Sequence, residues 1–277
     1  MNLREKAIKL STLYQQNQKV KGILLAGSVS REWQDNHSDI ELHILWSEPP
    51  SDSERLFPIK LVNGRVIDFF PYEDEEWSET YLTEDNIKLE ISNFLVETVE
   101  TYIQDVVNKL DLDYDKQCIL SSITYGRSLY GHDLLNKLKK DIEIYPSKLA
   151  EKMILSNLDL GNRWNNRNAL LDRNDWLMLY EVICSIQKKL LATLLGLNKM
   201  YIHHPAFKWM HHIIDFMDIK PDNLDNRLSQ ILLGEVNDGI SELELLIEEV
   251  QCLVTQHYPH INIEQYKQKA NFVRPKN

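Results

Sequence analysis

The texture of the chain changes at Tyr145-Pro146, and no other feature constrains the fold as much. Upstream, short β-branched runs alternate with helical stretches. Downstream, apolar residues recur at helical spacing with almost no period-two alternation. A mixed half followed by an all-helical half is an α+β, two-domain pattern. We therefore expect domains at 1–145 and 146–277, with the seam near 141–147. At 277 residues the chain is long enough for a core in each.

Within the first half, residues 3–18 carry Ala7, Ile8, Leu10, Leu13 and Tyr14 at helical spacing. Residues 21–26 form a short apolar run ending at Gly27, which reads as a buried strand, and Ile40–Trp46 reads as a second. In IKLVNGRVIDFF, residues 59–70, the Asn-Gly pair between two apolar runs predicts a β-hairpin. Helical periodicity is predicted over 84–110, and a last short strand and turn within 121–131. The second half is expected to hold helices over 147–166, 174–196, 205–217, 224–234 and 238–256.

Charge is uneven. Residues 1–150 carry 17 Lys and Arg against 26 Asp and Glu, whereas 151–277 carry 14 against 16. Residues 73–115 alone hold 14 acids and two lysines. Such a field repels nucleic acid and attracts cations, so long DNA or RNA is not an expected partner. The three cysteines, Cys118, Cys184 and Cys252, have no paired spacing and fit a reducing compartment. The N-terminal residues interleave charge with apolar side chains, unlike a signal peptide. The longest apolar stretch, LLATLLGL at 190–197, is too short to span a bilayer. The expected setting is the cytoplasm, with no membrane partner.

The chemistry concentrates in LLAGSVSREWQDNHSDIELHILW, residues 24–46. Side chains alternate along a strand, so Asp39 and Glu41 share one face while Ile40 and Leu42 enter the core. Two carboxylates so close repel unless a cation lies between them. A hard divalent ion such as Mg²⁺ takes oxygen ligands, usually one or two carboxylates plus substrate phosphates. Asp68, in VIDFF, is a third carboxylate in an apolar run. If its strand lies beside the first, three acids converge and could hold two metal ions for in-line phosphoryl chemistry. Gly27 allows a sharp turn and close approach to a ligand. Ser28 and the N–H groups after it would open a short helix suited to phosphates, with Arg31 adding positive charge. His203, His204, His211 and His212 lack a Cys or paired acid at ligand spacing, so they read as cleft or helix-end residues.

Gly-Ser, an interval of about ten residues, then Asp-Ile-Glu, with a later acid in VIDFF, resembles the nucleotidyltransferase superfamily with the polymerase-β-like fold. Within it the chain is most similar to antibiotic nucleotidyltransferases of the aminoglycoside and lincosamide type. RNDWLMLYEV at 173–182 and LLGLNKMYIHHPAFKWM at 194–210 resemble the helical half of related transferases. That resemblance implies a mixed-sheet nucleotidyltransferase domain followed by a helical-bundle domain that binds substrate or nucleotide. It implies ATP or another nucleoside triphosphate with Mg²⁺, and transfer of a nucleoside monophosphate to a hydroxyl of a small acceptor. The acceptor would be cationic if the acidic 73–115 segment lines its cleft. Asp39, Glu41 and Asp68 would hold metal, Gly27, Ser28 and Arg31 the triphosphate, and Lys208 its outer phosphates. Glu90, downstream of the third acid, would be the general base. Two positions depart from the family pattern: Glu41 stands where many members have Asp, and Glu32 replaces a frequent Gly.

Two other readings fit the same residues. In one, the acceptor hydroxyl belongs to a protein, against which the helical half of some 130 residues argues. In the other, the chain binds nucleotide without catalysis.

Overall fold

The computed structural model describes residues 2–276. The chain forms two compact units, Met1–Ile144 and Tyr145–Asn277.

The first unit opens with α1, Leu3–Tyr14, capped by the Asn2 side chain on the Glu5 N–H at 2.8 Å. Then follow β1 (Val20–Leu25), α2 (Gly27–Arg31), β2 (Ile40–Trp46), α3 (Asp52–Leu61) and β3 (Arg65–Phe69). The unit continues through β4 (Trp77–Leu82), β5 (Lys88–Leu95), α4 (Val96–Ile103, extended by a π turn), α5 (Tyr114–Tyr125), β6 (Arg127–Tyr130) and α6 (His132–Ile142). The six strands form one mixed sheet in the order β3-β4-β5-β2-β1-β6. Only the central β2–β5 pair is parallel, with Glu41 opposite Glu90; the remaining pairs are antiparallel.

One sheet face is apolar. Ile23, Leu25, Ile40, Leu42, Ile44, Leu89 and Ile91 pack there against Ala7, Leu10 and Tyr14 of α1 and Ile59 of α3. Each fully buried side chain of this size contributes about 1.5–3 kcal/mol. The other face carries Glu41, His43, Glu90, Ser92 and Phe94, and Phe94 meets Tyr102 of α4 edge to face.

Three expected elements are corrected. The 59–70 segment is not a hairpin, because its first half is the end of α3. Ser51 and Glu54 form a reciprocal capping box that starts this helix, and the Asn-Gly pair ends it. Asn63 has φ +52°, and the Gly64 N–H donates to the Ile59 carbonyl at 2.9 Å. Nor is 84–110 one helix: its first part is β5, where Leu89, Ile91 and Asn93 alternate into the core. Likewise, residues 121–125 are the end of α5, and within 121–131 only β6 is strand.

The second unit is helical: α7 (Ser147–Leu158), α8 (Arg167–Asp172), α9 (Trp176–Leu197), α10 (Met210–Asp215), α11 (Leu224–Leu233), α12 (Val236–His257) and α13 (Glu264–Asn271). The central α9 approaches α7 closely at Gly196, where a Cβ would stand 3.1 Å from that of Met153. Among the described residues, no helix is long and apolar enough to cross a membrane.

Candidate metal and phosphate site

The burial alternation of β2 sets the site. Ile40 and Leu42 are fully buried, so Asp39 and Glu41 emerge together on the opposite face. The parallel register with β5 brings Glu90 beside Glu41. Carboxylate oxygens of Asp39, Glu41 and Glu90 all lie within 4.8 Å of one another, a donor set suited to a hard cation. All three side chains are partly buried, which strengthens their mutual repulsion. Lys88, two residues before Glu90 on the same face, relieves part of it. Its Nζ lies 3.3 Å from Asp39 Oδ2 and also donates to Glu90 Oε1.

Asp68 is not in this group, which corrects the expected convergence. Its strand is the sheet edge, and β4 and β5 separate it from β2. The lateral row runs Glu41, Glu90, Thr80, Asp68, which leaves Asp68 exposed and two strand spacings, about 10 Å, beyond Glu90. Glu90, expected on a helix, lies instead on β5, where it completes the cluster.

Gly27 and Ser28 lie against it. The Ala26 N–H donates to the Glu41 carbonyl at 2.9 Å, which ties the turn to β2. Gly27 has φ +61°, and a Cβ there would lie 2.6 Å from Glu41 Oε2 and closer still to Oε1. Ser28 is buried, and its hydroxyl is hydrogen-bonded to Ser38, the residue before Asp39. Arg31 closes the short α2 and points inward. It donates to Ser121 Oγ at 3.1 Å, and its guanidinium lies 4.9 Å and 4.6 Å from the Trp33 and Tyr125 ring centres. Burial lowers its pKa, opposed by Tyr125, Glu41 and Cys118. The negative charge of Glu32 does not bear on the turn alone, because Arg4 pairs with it at 2.6 Å.

Further along the same sheet face lies a cleft of about 550 Å³. Phe94, Tyr102 and Ile119 supply its apolar wall, and Asp74, Glu75, Glu76, Asp113 and Asp115 its charge. Lys116 at its rim is engaged by Asp105 and Asp111 at 2.6 and 2.9 Å. Burial holds the Glu76 carboxyl above the ordinary range; a hydrogen bond with Ser92 opposes this, and Asp115 and Asp74 reinforce it. Ser92 lies two residues beyond Glu90 on β5, and Phe94, the residue of that strand that lines the cleft, lies four beyond it, roughly 13 Å along the strand. A larger cavity, about 1030 Å³, lies at the Trp46 end of β2 and contains none of the sequence-predicted site residues.

Lys208 belongs to the second unit, exposed in the turn before α10. Tyr201, an aromatic candidate for stacking, is buried against Tyr145. The His211 and His212 rings lie with centres 4.3 Å apart, tilted by 54° to one another.

A family described as a domain of unknown function, DUF4037, matches residues 112–210. No curated protein matches the chain. Among solved structures, the chain is similar to an aminoglycoside 6-adenyltransferase from Bacillus subtilis, at 10% identity and a TM-score of 0.34, covering 95% of this chain and 93% of that one. It is also similar to JHP933 from Helicobacter pylori, at 13% identity and a TM-score of 0.28, covering 77% and 99%. With TM-scores below 0.5, neither superposition defines a common fold.

Proposed function

We propose that this chain is a Mg²⁺-dependent nucleotidyltransferase that moves a nucleoside monophosphate, from ATP or another nucleoside triphosphate, to a hydroxyl of a small acceptor. The observation that carries this reading is the convergence of Asp39, Glu41 and Glu90 beside the Gly27-Ser28 turn. Three carboxylates suit one or two hard divalent ions, and the Lys88 ammonium already lies among them as a cation would. When bound, Mg²⁺ would neutralise charge on the triphosphate.

In the reaction, the acceptor hydroxyl oxygen forms a bond to the α-phosphorus and gives up its proton to water, the bridging α–β P–O bond breaks, and pyrophosphate leaves. In this reading Asp39, Glu41 and Glu90 hold the metal, and the Gly27-Ser28 turn receives phosphate oxygens. In this reading the acid-lined, aromatic-walled cleft further along the same sheet face takes the acceptor, and its charge suits an amine-bearing molecule. An aminoglycoside- or lincosamide-like antibiotic has that chemistry.

The test is incubation with ATP labelled at the α-phosphorus and a panel of aminoglycosides and lincosamides. The expected product is heavier by one nucleoside monophosphate and absent with Asp39→Asn or Glu41→Gln. Undiminished transfer by both variants would place the chemistry elsewhere. Tight ATP binding by calorimetry without transfer to any acceptor would instead identify a non-catalytic nucleotide binder.

A further inference from the structure

Lys88 is the one residue in the carboxylate group that the proposed reaction does not use. β5 places it two positions before Glu90, so both side chains project from the same face. Its ammonium bridges two of the three acids: Asp39 Oδ2 at 3.3 Å, and Glu90 Oε1. The Asp39 side chain is only 14% exposed, so little water is available to screen its charge, and a resident cation takes that role. The Lys88 side chain, in contrast, is 47% exposed on a flexible four-carbon stem. It can swing into solvent without disturbing the sheet.

We propose that Lys88 is an internal counter-ion that competes with metal for the Asp39–Glu41–Glu90 cluster, so that a divalent cation enters only as the Lys88 ammonium leaves. This inference rests on the metal-binding reading above. The competition is direct, because two of the three carboxylates that would hold the metal already accept from Lys88 Nζ. A residual ammonium a few ångströms from a divalent ion would also repel it. Lysine suits this role better than arginine, since its compact charge detaches from one carboxylate without breaking a bidentate fork. The arrangement keeps three acids from destabilising the metal-free sheet and sets the metal concentration at which the site fills.

The experiment is a Mn²⁺ titration, with free ion measured by electron paramagnetic resonance, on wild type, Lys88→Met, Lys88→Arg and Asp39→Asn. Methionine keeps the apolar stem and removes the charge. The expected result is about ten-fold tighter Mn²⁺ binding in Lys88→Met, the scale of two partly exposed ion pairs lost from the competing state. Lys88→Arg should bind within about three-fold of wild type, and Asp39→Asn should bind at least ten-fold more weakly. Unchanged or weaker binding in Lys88→Met, with Asp39→Asn still impaired, overturns the counter-ion role and leaves the metal site standing. Binding unaffected by Asp39→Asn overturns the metal site itself.

A second measurement needs no charge-removing variant. In wild type with ¹³C-dimethylated lysines, the Lys88 signal is identified by its absence in Lys88→Arg. Saturating Mg²⁺ should move that signal to the position of solvent-exposed lysines. A signal that stays in place while Mg²⁺ binds overturns the displacement.

Discussion

Gly27 lies directly under the carboxylate of Glu41, so close that the smallest side chain would collide with it. The glycine that opens the short α2 and the acid at the centre of the sheet are therefore one structural unit. Gly27→Ala should displace Glu41 and also strain a residue at φ +61°, which costs about 1 kcal/mol or more. We expect Mn²⁺ affinity to fall at least ten-fold while the far-ultraviolet circular dichroism stays that of wild type. Unchanged affinity would show that Glu41 is not a metal ligand.

The lateral row Glu41, Glu90, Thr80, Asp68 separates two acids that share a face but not a site. Asp39→Asn, Glu41→Gln and Glu90→Gln should each lower nucleotidyl transfer by two orders of magnitude or more, the scale for loss of a transition-state electrostatic group. Asp68→Asn, on an exposed edge strand, should stay within about two-fold. Steady-state rates for the four variants decide between the rows, and a large effect at Asp68 would reverse the assignment of Glu90.

The contrast between Asp68 and Glu90 shows what sequence periodicity conveys. That Asp39 and Glu41 share a face follows from the two-residue repeat of a strand, a local property. That Glu90 joins them depends on a parallel pairing across 49 residues, which no local pattern encodes. β1 and β2 are legible as apolar runs because both enter a dry core. β4 and β5 are obscured because their buried positions include Glu79 and Asn93, polar residues satisfied by partners distant in sequence. The Asn-Gly pair reads correctly as a turn but not as the end of a helix. That reading requires the Ser51–Glu54 capping box seven residues before the helix's last turn to be weighed against it.

Those buried polar residues give a stability prediction. Arg55 and Glu79 are sealed from solvent, with Arg55 Nε and Nη2 at 3.1 and 2.6 Å from Glu79 Oε2. Asn93 donates to the other Glu79 oxygen at 2.9 Å and accepts from Trp46 Nε1 at 2.9 Å. Removing one charge strands the other, so Arg55→Met should cost about 3–5 kcal/mol. The double variant Arg55→Met/Glu79→Leu should recover a large part of that, because no charge remains buried. Urea unfolding followed by tryptophan fluorescence measures both, and a double variant no better than the single one would contradict the account.

Acid sensitivity should come from Glu54. The Ser51 backbone N–H and the Asn17 side chain, and to a lesser degree the Ser51 hydroxyl and Lys19, favour its charged form; burial opposes them, and the carboxyl is held down to about 2. The unfolded chain has the ordinary value of 4.5, so between the two the unfolded state binds more protons. Stability from this group is therefore complete above pH 4.5 and is lost as pH falls toward 2. The side chain is 24% exposed, and solvent screening brings the contribution to about 1–2 kcal/mol. Glu54→Gln should be less stable than wild type by that amount at pH 7, with the gap narrowing steadily below pH 4.5. Urea midpoints measured from pH 7 to pH 3 give the comparison. A gap that stays constant over that range would mean that Glu54 acts through packing and the α3 cap rather than through its charge.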